Sequence, residues 1–250
     1  MTSRRFLDRL KRHDWLTVAI DLIIVVLGIF IGLQASRWVQ TRQDIETERR
    51  YLERLLADSD ANIRVLQQAI AQNDSRAATL ASLAAALDKR GPVPTHAQLS
   101  DVMCRWFVQP AVDVRRGTYT ELVSSGRLAL LRDEDLRGRL ALEQGTHQEA
   151  ERLDILAPAV LQAAAPLSDY RKWKIVGAGS GSRTGAGASG VDCNFDVAGM
   201  SRDARIPSVV AQLYRDQTSH RRFRQRELVA VLATRTRLRL LLGREAPADR

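Results

Sequence analysis

Aromatic side chains make up only 5% of the 250 residues, and β-branched runs are rare outside one N-terminal stretch. Strands draw on both kinds to fill a pleated, half-buried surface, so this scarcity argues against an all-β fold. Lysine is nearly absent: 34 of the 38 basic residues are arginine. A net charge of +9 is compatible with nucleic acid, an anionic membrane surface or a GC-rich coding bias. The arginine excess fits the last, and the charge is spread through helical stretches with no arm or patch of interleaved aromatics, so no nucleic-acid partner is expected. Histidine is equally sparse. His13, His96, His147 and His220 show neither the His-x3-His nor the HExxH spacing that places two zinc ligands on one helix face. No GxSxG elbow and no P-loop occurs. The triplet Ser124-Ser125-Gly126 reads as a helix end. The acids Asp133, Glu134 and Asp135 read as the first turn of a helix, where the dipole favours negative charge. The expectation is a protein that is not an enzyme, with no catalytic, cofactor or metal residues.

The long apolar stretch is the exception to this polarity. From Leu16 to Ser36 the one ionisable side chain is Asp21, and Trp15 and Trp38 flank the run. As a helix it would rise about 31 Å at roughly 1.5 Å per residue, enough to cross a hydrocarbon core of about 30 Å. Tryptophan suits the headgroup level at each end. A cleaved signal peptide is the alternative, with Arg4, Arg5, Arg9, Lys11 and Arg12 as its charged region. Cleavage after Ala35, however, sets Leu33 rather than a small residue at the other recognition position. A retained anchor is expected. At about 100° per residue, Asp21, Val25, Gly28, Gly32, Ala35 and Val39 fall near one line. Small residues let helices approach closely in lipid, and a membrane carboxylate avoids lipid, so Asp21, Gly28, Gly32 and Ala35 form the candidate transmembrane interface. Cations are balanced on the two sides. The dense basic tail and the ease with which long domains cross place the N-terminus in the cytoplasm and the domain outside, in the periplasm of a bacterial inner membrane.

Beyond the anchor, composition favours helices. Ile45, Leu52, Leu56, Ile63, Leu66, Ile70, Ala77, Leu80, Ala84 and Leu87 recur at three- and four-residue steps without Gly or Pro, predicting an amphipathic stalk helix. Ser59 and Asn73 fall on the same stripe, which points to burial among other helices rather than a solitary zipper. Lys89-Arg90-Gly91-Pro92 closes it, with Gly91 at the stop. Thr95 caps a shorter helix running to about Phe107, and a short helix begins near Thr118, with Glu121 completing a capping box and Gly126 beyond its end. Val176 to Gly190 is a Gly/Ser-rich run with neither a clear strand before it nor a helix after it, so it reads as a loop and not as a nucleotide fingerprint. Pro207 suits the first turn of a long basic helix to about Leu242. The fold class is therefore all-α: a transmembrane helix continuing into a long amphipathic helix, packed with a long C-terminal helix and shorter middle helices as an elongated bundle. The organisation expected is a basic tail at 1–14, the span at 15–38, the stalk at 39–90, a helical middle at 91–175, the Gly/Ser loop at 176–192 and a C-terminal segment at 193–250. Cys104 and Cys193 are a candidate disulfide if the domain lies outside the cytoplasm, and buried or free thiols if it lies inside.

Two blocks carry a resemblance. One is Val26-Leu27-Gly28-Ile29-Phe30-Ile31-Gly32-Leu33-Gln34, then Trp38 and a charged helix through Leu52, Leu55, Leu56, Asp58 and Asn62-Ile63. The other is Thr118-Tyr119-Thr120-Glu121-Leu122 through Ser125-Gly126-Arg127-Leu128 and Leu131, then Leu136-Arg137. Together they resemble a bacterial family of single-pass membrane proteins whose activity is uncharacterised. Asp21 stands where members place an acid early in the span, while Ala35-Ser36-Arg37 replaces their Asn-rich exit. The resemblance covers about half the chain and departs at the Gly-rich run. It implies architecture and anchoring and brings no chemistry.

The function expected is a membrane-anchored interaction or scaffold protein. Its partners would be the lipid bilayer and either a second copy or another membrane protein. Anionic lipid is a candidate contact for the C-terminal basic helix, whose arginines Arg221, Arg222, Arg224, Arg226, Arg235, Arg237 and Arg239 would otherwise pair with stalk acids. The alternative is a sensory or ligand-binding module signalling through a separate partner. A transport accessory using Asp21 is a third reading.

Overall fold

The computed structural model describes residues 14–104, 112–155, 160, 162–175 and 191–244. It is all-α apart from one short hairpin. The chain divides into two compact units, Met1–Tyr51 and Leu52–Arg250, taken separately below.

No proline and only Gly28 and Gly32 interrupt residues 14–87, and the result is one helix, α1, from Asp14 to Leu87, 74 residues long. Within the first unit its apolar side chains stay in the open. Leu22, Ile23, Ile24, Phe30 and Ile31 are each more than half exposed, with Ile31 at 64%. This is the one helix, among the described residues, long and apolar enough to cross a membrane. Near its polar exit the Arg42 guanidinium lies over the Trp38 ring at 4.0 Å. The helix stops at Leu87, and the left-handed residue that ends it is Lys89 (φ 57°) rather than the expected Gly91. Arg90 N–H then donates to Ala85 O at 2.8 Å, which satisfies one of the last carbonyls.

In the second unit, residues 52–87 of α1 run antiparallel to α6, Ile206–Leu241. The direction is fixed by what meets what. Leu80, Leu83 and Leu87 pack with Ile206, Val209, Val210 and Leu213. Asp74 pairs with Arg221, and Asp60 pairs with Arg235. Most of the stripe read from the sequence is buried here: Leu52, Leu56, Ile63, Leu66, Ala77, Leu80 and Leu87 are buried, with Ser59 and Asn73, while Ile70 and Ala84 are half-buried and Ile45, in the first unit, is exposed.

Between these two helices in sequence come shorter elements. Thr95 caps α2, His96–Leu99, in a reciprocal box with Gln98, and a wide turn at Ser100–Cys104 follows; the expected extension to Phe107 lies outside the described residues. Helix α3 spans Gly117–Ser124, and its N-cap is Arg116, with no side-chain cap. Thr118 does not cap it, because its hydroxyl is directed inward to Asp58. Glu121 completes no box, because it pairs with Arg54. Gly126 does adopt the left-handed conformation expected after the helix (φ 68°). Helix α4, Glu134–Ile155, starts on Asp133, whose Oδ1 accepts from Leu136 N–H at 2.7 Å, and it passes through Gly145 without a break.

The hairpin corrects the expectation of a loop with no flanking strand. Strand β1, Arg171–Ile175, pairs antiparallel with β2, Val191–Phe195, setting Trp173 opposite Cys193. The Gly/Ser-rich run between them lies outside the described residues. A disulfide joins Cys193 to Cys104, with Cα atoms 6.0 Å apart, inside the range a disulfide spans. The short helix α5, Val197–Met200, then leads to α6 and seats Met200 in the apolar cluster.

Candidate functional site

The stripe Gly28, Gly32 and Ala35 is open in the single chain: a methyl group added at either glycine would meet nothing within 4 Å, and Ala35 is exposed. Asp21 lies in the same helix, but its side chain is outside what the structure describes. Cys104 and Cys193 are brought together, as described above. The basic face of α6 is mostly spoken for. Arg221 reaches Asp74 at 2.9 Å, Arg235 reaches Asp60 at 2.6 Å, and Arg237 holds Asp133 and Asp135. Arg224 is buried. Arg222 and Arg226 remain exposed, with Arg226 above the Phe223 ring at 5.5 Å.

A site that the sequence did not announce lies halfway along the second unit. Four elements supply it: α1, the segment leading into α3, α4 and α6. Glu227 is fully buried on α6. One of its carboxylate oxygens accepts from Arg224 Nη1 at 3.0 Å, and the other is 2.5 Å from His147 Nδ1. A buried carboxylate is costly unless paired, and here a guanidinium and an imidazole share the task. Because a carboxylate accepts, His147 places its proton on Nδ1. The other ring nitrogen, Nε2, is buried 3.0 Å from Glu151 Oε1. Glu151 is in turn held by Arg116 Nη2 at 3.1 Å.

Glu143 stands one helical turn before His147, on the same face of α4. Its Oε2 is buried without a partner. Burial pushes the Glu143 carboxyl above the usual glutamate range; a hydrogen bond from Thr234 opposes this, and the nearby Glu227 charge adds to it. On α1, Asp58 Oδ2 accepts from the Thr118 hydroxyl at 2.6 Å. Asn62 ties the preceding segment down twice: its amide donates to Arg115 O at 2.9 Å, and its Oδ1 accepts from Arg115 N–H at 2.7 Å. These groups line a partly open pocket of about 30 Å³, with Asp58, Asn62, Tyr119, Glu143, His147 and Glu227 in its wall. That is room for a water molecule. A solvent-open groove beside it shares Asp58 and Arg115 with the cavity. Among the described residues no three His, Cys, Asp or Glu side chains converge as metal ligands.

The sequence did hold a faint signal for this centre. Glu143, His147 and Glu151 repeat at steps of four, and Arg224 and Glu227 at a step of three. On helices as charged as these, the same spacings occur on solvated faces, so the pattern alone does not single them out.

Comparison with known proteins finds no family model, no curated protein and no solved structure that matches the chain.

Proposed function

We propose that this chain is a membrane-anchored helical interaction protein of the bacterial inner membrane. It crosses once near residues 15–38, with a cytoplasmic N-terminus and a periplasmic domain, and self-associates through Asp21, Gly28, Gly32 and Ala35. The role is one of assembly, without catalysis. The observation that carries the reading is the run of apolar side chains in α1 that the rest of its unit leaves exposed, from Leu22 to Leu33. Such a continuous surface needs lipid or another helix to cover it. The Cys104–Cys193 bond supports the periplasmic side, since disulfides persist in oxidising compartments. The resemblance to single-pass membrane proteins points the same way.

Site-specific crosslinking in native membranes tests it. Gly28→Leu with Gly32→Leu widens the stripe and is expected to abolish the crosslinked dimer. A dimer yield unchanged by the double substitution would remove the interface, and a soluble mature chain beginning near residue 36 would remove the anchor.

The sensory reading is favoured by one observation, a polar pocket lined by Glu143, whose Oε2 is buried without a partner, and by His147 and Glu227. At about 30 Å³ the cavity is far below the roughly 300–1,000 Å³ of sites for organic ligands. The groove beside it is open to solvent and encloses nothing. Any stimulus read there is therefore the size of a water molecule or smaller.

A further inference from the structure

We propose that the outer seam between α4 and α6 is a docking face for a second copy of this chain, a self-interface of the domain in addition to the one proposed for the span. It rests on the proposed anchoring, which holds the copies parallel, and not on the span stripe.

Three side chains mark the seam. Leu142 on α4 is 62% exposed, and Val229 and Leu240 on α6 are 67% and 62% exposed. Among the described residues of the second unit these are the most exposed large apolar side chains. Scattered singly they would need no explanation, but helical spacing gathers them. Asp135, Leu142 and Glu149 recur at every seventh residue, so they form one line along α4 that drifts by about 20° per step. Asp135 lies 3.3 Å from Arg237 of α6, so this line borders α6. On α6, Arg226, Ala233 and Leu240 recur at the same step, and Val229 stands about a turn from Arg226 and from Ala233. Arg237 is itself about a turn from Ala233 and from Leu240, so this second line borders α4. Two apolar edges therefore flank one seam.

The charges say what fits. Asp133 beside Arg237 and His147 beside Glu227 fix α4 and α6 as antiparallel and set their register. Leu142 is thereby level with the turn Val229–Ala233, and Glu149 with the turn Arg222–Arg226. Glu149, Arg222 and Arg226 are all exposed, the acid on one edge of the seam and the bases on the other. Turning a second copy by a two-fold rotation about an axis along the helices keeps every residue at its height and exchanges the edges. Leu142 then lies on Val229 and Ala233 of the second copy, and Glu149 on its Arg222 and Arg226, while the reverse pairs form at the same time. A face that complements itself is what a two-fold dimer requires. The same rotation leaves both chains running in one direction, as two chains anchored in one membrane must. A partner of uniform charge would instead set one edge against its own sign. Tethering in a shared bilayer raises the effective concentration of the faces, so a modest apolar area suffices.

The test uses the full-length chain in native membranes, with two differently tagged copies co-expressed. One copy carries Leu142→Cys and the other Val229→Cys. Cys104 and Cys193 are bonded to each other, so a short bismaleimide reports contact between the new thiols. A crosslinked pair of unlike tags is expected. Glu149→Arg in both copies sets like charges together at both contacts and should cut the yield about fivefold; Arg226→Glu in both should also lower it. Glu149→Arg in one copy with Arg226→Glu in the other restores opposite charges at both contacts and should return the yield to its starting level. That rescue separates contact between copies from an ion pair inside one chain, which the mixture would not repair. All four positions are exposed, so the fold is not at stake, and Ala233→Cys in place of Val229→Cys gives a second reporter. No crosslink from either reporter overturns the proposal and assigns the seam to another occupant. A yield indifferent to the charge changes, or no rescue in the mixed pair, overturns it equally. The span interface fails separately: a span crosslink without a seam crosslink sinks this proposal alone, and a seam crosslink without a span crosslink sinks the span interface alone.

Discussion

The same two helices, α1 and α6, pass through two different interiors. Near the end of α1, Leu80, Leu83 and Leu87 meet Val209, Val210, Leu213 and Met200 with Leu99, Val102 and Met103, an apolar cluster by any measure. About five to eight turns earlier on α1, at roughly 3.6 residues per turn, Asp58, Ser59 and Asn62 meet a region that holds Thr118, His147, Arg224, Glu227 and Thr234 instead. The apolar end can be assembled from many residues of suitable volume, and each fully buried leucine contributes about 1.5–3 kcal/mol relative to exposure. The polar centre tolerates no such freedom, since each donor there needs its one acceptor. Stability and specificity are therefore lodged in different stretches of the same helix pair.

The contrast is easiest to break at Glu227. Glu227→Ala strands the Arg224 cation in the interior and leaves His147 Nδ1 without its partner, and a loss of about 3–5 kcal/mol in chemical denaturation is expected. The combined replacement of His147, Arg224 and Glu227 by apolar residues of similar volume should recover most of that loss; if it does not, the centre contributes stability in its own right and the contrast is wrong. Leu83→Ala tests the other end, where a cavity and lost transfer free energy should cost about 2–5 kcal/mol without altering any pH dependence. The smallest effect is expected at the rim of α4. Arg237 holds the Asp133 carboxyl below the usual carboxylate range, with the Leu136 N–H assisting. That stability is present above the ordinary value of 3.8 and is lost as pH falls toward the folded-state value. Asp133→Asn, which keeps a capping side chain, should flatten the acid limb of a Tm-against-pH curve and leave its neutral plateau in place.

The apolar half of this contrast was legible in the residues. Leu80 and Leu87 stand on the stripe read from the sequence, which held the half-buried Ala84 in place of the fully buried Leu83, and Thr95, Gly126 and Pro207 sit near real helix ends. Ser59 and Asn73, on the same stripe, were the only early sign that the interior would turn polar, and both are buried. The centre itself was hidden because burial of a charge depends on what the other helices bring to it. His147 owes its place to Glu227, 80 residues away, and no local pattern encodes such a distance. The hairpin was hidden for a different reason. Arg-Lys-Trp-Lys-Ile alternates over only four residues, Lys172 to Ile175, too short a run to stand out, and its partner Val191–Phe195 follows only after the Gly/Ser-rich run.

The Cys104–Cys193 bond also makes everything from 104 to 193 a covalent ring of polypeptide. A protease that cuts once within it, however deep the cut, releases nothing: the pieces stay one molecule until a reductant reaches the sulfur atoms. In an oxidising compartment such a nick would be invisible to any assay of size, and the N-terminal helix would still carry the C-terminal one with it.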